Sequence, residues 1–89
     1  MKKIMQVTEV EGEGLVGLLG KRVMLFCLNY IYTGTLSGVN NTCVMLEKAA
    51  VVYDTGAFTS KSFADAQRVP FALYIQTAAI ESFGETDKV

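Results

Sequence analysis

The stretch that decides the fold runs from Gly34 to Leu46 and reads GTLSGVNNTCVML. Gly34 and Gly38 lie inside a strand-like pattern, and a glycine within a strand permits the strong bend that a small barrel requires. Asn40 and Asn41 follow, and asparagine favours turns because it tolerates left-handed backbone and bonds to its own chain. The apolar residues after them predict a buried strand. We therefore expect a bent strand, a turn and a second strand.

Strand-like patterns continue on both sides of this stretch. Short apolar or alternating segments bounded by turn residues are typical of strands. The expected strands cover residues 23–28, 30–37, 43–53, 71–76 and 79–83. The third of these is one long strand or two pieces joined through Glu47 and Lys48. Short strands joined by tight turns predict a mostly β fold, namely a small, bent, five-stranded antiparallel barrel of SH3-like kind that is partly open.

A helix is predicted before the first strand, over residues 8–20. Thr8 and Glu11 have the spacing of a capping box, in which each side chain satisfies a backbone donor at the helix start. Gly20 is a typical C-terminal stop. Other glycines within the segment weaken the helix, so we expect this N-terminal α-helix to dock on another part of the protein.

The length of 89 residues predicts a single domain that spans residues 1–89. Its barrel would cover residues 21–83 and include a long loop at 54–69, followed by a polar, frayed tail at 84–89. Apolar residues make up 51% of the chain, which is high for so small a domain. A homo-oligomer could cover the excess apolar surface.

The net charge of −1 gives no reason to expect DNA or a membrane as a partner. No apolar run approaches the roughly 18–20 residues that cross a bilayer. The N-terminal segment lacks the uninterrupted apolar core of a signal peptide. We therefore expect a cytoplasmic protein.

The sequence offers little to catalysis or to a cofactor. Cys27 and Cys43 are the only cysteines and histidine is absent, so a zinc site is not expected. The two thiols are expected to be reduced and buried, with a redox pair as the alternative. The pattern GEGLVG at residues 12–17 matches the dinucleotide fingerprint, but the chain is too short for that fold. We expect neither an enzyme nor a bound cofactor.

Two segments together resemble the Sm, LSm and Hfq family. The first comprises Val23–Leu25, Gly34–Asn40 and Val44–Leu46, and it is similar to the first Sm motif, with a spacing closer to Hfq. The second, Leu73–Ile80, is similar to the second Sm motif. The resemblance covers about residues 8–83 without the long loop. It implies a bacterial or phage Hfq-like protein with an Sm-like barrel.

The resemblance also implies a homo-oligomeric ring, hexameric or heptameric, closed by pairing of edge strands between subunits. In this family the pore side chains bind uridine-rich single-stranded RNA. The matching positions are Asn40, Asn41, Gln76 and Thr77. This sequence departs from the motifs, because Asn40 replaces an aspartate, residues 76–79 replace the Arg-Gly-Asn-Asn run, and the Tyr-Lys-His triplet is missing. An amide can still bond to a base edge, but it neutralises no phosphate.

Two alternatives remain open from the sequence. A structural or scaffolding ring that has lost RNA binding would explain the missing cation, and a monomeric SH3-like interaction module would need no ring. Tyr30 and Tyr32 are expected on one strand face, as core or as a stacking platform for bases. Phe58 and Phe63 in the long loop could anchor that loop or contact a partner.

Overall fold

A computed structural model describes residues 14–88 of the protein. The elements are helix α1 (Gly14–Gly17), strands β1 (Arg22–Cys27), β2 (Ile31–Val39), β3 (Cys43–Asp54), β4 (Asp65–Arg68) and β5 (Leu73–Gln76), a 3₁₀ helix (Thr77–Ala79) and strand β6 (Ile80–Glu85). No helix within residues 14–88 is long and apolar enough to cross a membrane. The prediction of a mostly β, antiparallel fold is confirmed.

The strands form one sheet in the order β4-β3-β2-β1-β6. The long strand β3 pairs with β2 along one edge and with two strands along the other. Its first half pairs with β5, from Cys43 opposite Gln76 to Leu46 opposite Leu73. Its second half pairs with β4, where Ala50 lies opposite Arg68. Among the described residues the sheet does not close on itself, so the predicted barrel is not confirmed.

Gly34 lies where β2 crosses the bend of β3. A Cβ atom at Gly34 would lie 3.0 Å from the Glu47 carbonyl oxygen and 3.1 Å from the Ala49 Cα atom. The register shifts between Thr33 and Thr35, and Lys48 on the facing strand has a φ of 50°. The predicted bend is therefore present, and it requires glycine at residue 34 because the two backbones approach too closely for a side chain.

The core lies under the first three strands and β5, and it takes alternate residues at Val23 and Leu25 on β1 and at Val44 and Leu46 on β3. Its fully or nearly buried members are Val23, Leu25, Leu36, Val44, Leu46, Ala49 and Ile75. Thr33 is also buried, and its hydroxyl donates a hydrogen bond of 2.9 Å to the Val23 carbonyl. The polar group therefore has a partner inside the apolar interior.

The predicted loop at 54–69 contains a strand that the sequence did not indicate. Strand β4 has the sequence DAQR, and all four residues are exposed. Backbone hydrogen bonds to β3 hold it in place, so it carries no apolar pattern from which a strand could be predicted. The sheet has six strands for this reason, where five were expected.

The predicted frayed tail is wrong for residues 84–88. Gly84 and Glu85 belong to β6, and Lys88 is only 1% exposed. The Lys88 ammonium donates hydrogen bonds to the carbonyls of Thr55, Ala57 and Ser62 at 2.8–3.1 Å. A polar side chain can be buried in this way because backbone acceptors surround it. The Lys88 side chain therefore fastens the loop.

The predicted helix is described in its last part only. Residues 14–17 are helical, and Gly20 has a φ of 84°, which is the left-handed conformation of a glycine that ends a helix. The predicted capping residues Thr8 and Glu11 lie outside the described residues. The Gly20 N–H donates to the Leu36 carbonyl at 2.7 Å, so the chain leaves the helix directly onto the sheet.

Candidate functional site

The turn between β2 and β3 is built around the side chain of Asn40. Its Oδ1 atom accepts hydrogen bonds from the backbone N–H groups of Thr42 and Cys43, each at 2.8 Å, and from the Thr42 hydroxyl at 3.1 Å. This is the Asx-turn arrangement, in which the side chain replaces a backbone acceptor. The Asn40 oxygen is thus committed to the turn, while its NH₂ group is exposed and can donate to a ligand.

The structure brings the turn next to the segment that follows β5. The backbone N–H of Thr77 donates to the Thr42 carbonyl at 2.9 Å, and the Thr77 hydroxyl donates to the Asn41 carbonyl at 3.2 Å. Gln76 pairs with Cys43 across the strands. The four residues predicted from the two motifs are therefore neighbours, although 36 positions separate Asn41 from Thr77 along the chain. We call Asn40, Asn41, Gln76 and Thr77 the amide site.

A shallow cavity of about 660 Å³ opens at the amide site. Asn41, Gln76 and Thr77 line it together with Tyr74, whose side chain is 66% exposed. An exposed aromatic ring beside amides can stack on a base while the amides bond to its edge. Tyr74 is not among the site residues predicted from the sequence, although its position next to the apolar Ile75 in a strand could have indicated an outward-facing ring.

The residues that line the amide-site cavity include no cation and no carboxylate. The cavity therefore offers neutral hydrogen-bonding groups and an aromatic face. Such a surface can discriminate between bases, but it supplies little attraction to phosphate. No cation accompanies Gln76 in this lining.

The two predicted structural glycines, Gly34 and Gly38, play different roles. Gly34 is enclosed by the backbone of β3, as described above. At Gly38, by contrast, a Cβ atom would lie 3.6 Å from the Met45 Cβ atom, which is an ordinary contact. The pairing register shifts between Leu36 and Gly38, so this glycine lies at a bulge that does not require the absence of a side chain.

The two strand tyrosines lie together at the opposite end of β2 from the amide-site turn. The ring centroids of Tyr30 and Tyr32 are 6.2 Å apart with a tilt of 56°. Tyr30 is exposed and Tyr32 is half-buried. Burial, then the neighbouring Cys27 and Tyr30, raise the pKa of Tyr32, so its hydroxyl is neutral near pH 7.

Both cysteines are free thiols, and both are half-buried, whereas buried thiols were predicted. Burial raises the pKa of the Cys27 thiol, and the nearby Glu81 carboxylate adds to the effect. The thiolate is the reactive form, so Cys27 is less reactive than an exposed thiol. Within residues 14–88, no three histidine, cysteine, aspartate or glutamate side chains come together as metal ligands.

The sequence was compared with models of known protein families and with curated proteins. No model of a known protein family matches the sequence, and no curated protein is significantly similar to it.

Proposed function

We propose that the protein is an Sm-like, Hfq-like protein that assembles into a ring and binds uridine-rich single-stranded RNA at the amide site. One observation carries the proposal: the turn at Asn40 and Asn41 contacts the segment at Gln76 and Thr77. These are the segments that the family resemblance pairs at a ring pore. The two segments that carry the resemblance are thus in contact, which supports the proposal.

The edges of the sheet support ring assembly. Among the described residues, β5 pairs only with β3, and β6 pairs only with β1. Each of these strands has an unused edge, and unpaired edges favour pairing with another chain. Tyr74 on β5 and Phe83 on β6 are 66% and 41% exposed. Joining β5 of one subunit to β6 of the next would satisfy both edges and cover these rings, and repetition of the contact would close a ring.

Repetition within a ring would strengthen the weak contacts of each amide site. Each subunit contributes a few neutral hydrogen bonds, whose net value is small in water. Because one RNA strand could contact several subunits, the second and later contacts become intramolecular and their contributions multiply. We expect binding weaker than that of typical Hfq, with a shallow dependence on salt.

Light scattering and a titration of fluorescent oligo-U test the two parts of the proposal separately. We expect a hexamer or heptamer at micromolar concentration and saturable RNA binding. Gln76→Ala should weaken RNA binding several-fold without changing the mass, because Gln76 is exposed and its backbone pairing remains. Gln67→Ala is the matched control, since Gln67 is an exposed glutamine on strand β4. A monomer would refute the ring.

A scaffolding ring without RNA binding is the second candidate. The lack of a cation in the amide-site lining favours it, since phosphate contacts supply most of the affinity for nucleic acid. A ring that shows no oligo-U binding, either as the wild type or with Gln76→Arg, would support this candidate. Equal weakening by Gln76→Ala and Gln67→Ala would place an RNA site elsewhere.

A further inference from the structure

The cations of the chain fall into two groups. Six of its eight lysines and arginines lie within residues 14–88. Three of the six are engaged: Lys21 pairs with Glu85 at 3.8 Å, Lys61 pairs with Asp87, and the buried Lys88 is bound by three carbonyls. The other three form no salt bridge with any described carboxylate.

Those three cations, Arg22, Lys48 and Arg68, line one cleft of about 440 Å³. We call it the basic cleft. Arg22 begins β1, Lys48 lies at the bend of β3, and Arg68 ends β4. Pairing across the sheet brings them together, because Ala50 lies opposite both Thr33 on β2 and Arg68 on β4. The convergence depends on β4, which the sequence did not predict.

The basic cleft is lined by buried residues of the sheet and by a net positive charge. Buried Thr33 and Ala50 form part of its base. The Nε atom of Arg22 donates to the Lys88 carbonyl at 3.3 Å, which restricts the guanidinium and leaves its terminal nitrogens for another acceptor. One carboxylate, that of Asp65, also lines the cleft. Three cations and one carboxylate give a charge of +2 in a chain whose net charge is −1.

An aromatic ring lies beside two of these cations. A neighbouring cleft of about 750 Å³ shares Lys48 and Arg68 with the basic cleft and is also lined by Phe71 and by Glu47. The Glu47 carboxylate accepts a hydrogen bond from the Ser37 hydroxyl. The Phe71 side chain is 62% exposed. A base can stack on an exposed ring while its phosphate meets nearby cations, which is the usual arrangement for single-stranded nucleic acid. An apolar ligand would not explain the cations, and inorganic phosphate would not need the ring.

We propose that the basic cleft binds the phosphate of a nucleotide unit, with Lys48 and Arg68 contacting the phosphate oxygens and Phe71 stacking on the base. Arginine and lysine are the usual phosphate ligands, and arginine can donate two parallel hydrogen bonds. The unit can belong to a free mononucleotide or to an RNA strand, because the recognised groups are the same. This inference goes beyond the proposed function, since it requires neither a ring nor the amide site.

Nuclear magnetic resonance titrations with uridine monophosphate, inorganic phosphate and oligo-U test the proposal. We expect saturable shifts of the backbone amides at Lys48, Arg68 and Phe71 with uridine monophosphate. The double variant Lys48→Asn, Arg68→Gln should weaken this binding by about tenfold or more, because it removes two charge-assisted hydrogen bonds. Asparagine suits residue 48, where φ is 50°, since it tolerates left-handed backbone.

The matched control is the double variant Lys21→Gln, Lys61→Gln, which lowers the net charge by the same two units at exposed salt bridges. It should bind uridine monophosphate nearly as well as the wild type. Equal weakening by both double variants would overturn the proposal, because the attraction would then be general. An absence of saturable shifts at the cleft with all three probes would also overturn it.

Phe71→Leu tests the stacking contact. It should weaken the binding of uridine monophosphate several-fold and leave the binding of inorganic phosphate unchanged. An unchanged affinity for both ligands would refute the role of the ring. Tighter binding of oligo-U than of uridine monophosphate at the cleft would identify RNA as the source of the phosphate, and equal binding would identify a free nucleotide. Binding of the mononucleotide without any binding of oligo-U would support the basic cleft and refute the proposed RNA function.

Discussion

The amide site and the basic cleft lie along the same strand, yet they differ in chemistry and in construction. The amide site is at the start of β3, where a local turn and the segment after β5 present neutral groups. The basic cleft is at the bend of β3, five residues further along at Lys48, or about 16 Å at the usual rise of a strand. It presents cations from three separate strands.

The two regions therefore offer different contributions to ligand binding: the amide site can discriminate between bases, and the basic cleft can attract phosphate. Neutral amides can discriminate between base edges, whereas cations supply the salt-dependent attraction to phosphate. The family resemblance implies that both functions belong to one pore. In this chain the described cations without a carboxylate partner line the basic cleft instead. The comparison predicts that substitutions at the two regions change different properties of ligand binding.

The largest expected effect is a loss of stability that disturbs the amide site and the basic cleft together. Gly34→Val should lower the free energy of unfolding by roughly 3 kcal/mol, because the new side chain would overpack the contact with the β3 backbone. Chemical denaturation measures the change. Gly38→Ala is the control and should cost at most about 1 kcal/mol, since its Cβ atom has room. An unchanged denaturation midpoint for Gly34→Val would mean that β2 and β3 can separate freely.

A substitution at Lys88 should disturb the basic cleft alone. Lys88→Met removes three hydrogen bonds to the loop carbonyls, whereas the Lys88 backbone carbonyl that accepts from Arg22 remains. The loop continues into residues 63–66, which line the basic cleft. We expect the free energy of unfolding to fall by about 2 kcal/mol, because three charge-assisted hydrogen bonds of a buried side chain are lost. Hydrogen exchange should accelerate at residues 55–64 and remain slow at Cys43 in the amide-site turn.

Lys61→Met provides the control for Lys88. Its ion pair with Asp87 is exposed, and such pairs contribute little to stability. If Lys61→Met and Lys88→Met accelerate exchange in residues 55–64 equally, the buried ammonium is not what fastens the loop.

A substitution at Asn40 should disturb the amide site alone. Asn40→Ala removes the acceptor of two backbone N–H groups. It should lower the free energy of unfolding by about 1 kcal/mol. Asn40→Asp keeps that acceptor and should retain most of the stability. Exchange of the Thr42 and Cys43 amides measures the effect directly. Fast exchange at the basic cleft in Asn40→Ala would contradict the independence of the two regions.

The smallest effect on stability, and a sharp one on binding, is expected from Gln76→Arg. The residue is exposed at the end of β5, so stability should change by less than about 0.5 kcal/mol. Oligo-U binding should tighten, and the slope of its salt dependence should steepen by about one phosphate contact. Ser60→Arg adds the same charge in the loop between β3 and β4 and should leave the slope unchanged. Equal effects of both variants would show that net charge, not location, controls affinity.

The sequence determined the parts of this protein whose signal is local. The apolar runs of β1 and β3 and the alternation of β2 predicted those strands. Gly34 indicated the bend, and Asn40 indicated the turn through its own side-chain chemistry. The amide site was predicted as a set of residues from the resemblance to two motifs, and its members do lie together.

Only the tertiary structure decided the features that depend on distant backbone. Strand β4 is polar and is held by hydrogen bonds to β3, so no side-chain pattern marks it. Lys88 is buried because three loop carbonyls surround its ammonium group, and nothing near it in the sequence indicates those acceptors. The basic cleft collects cations from residues 22, 48 and 68. Charge acts through space rather than along the chain, so their convergence becomes visible only when the sheet is assembled.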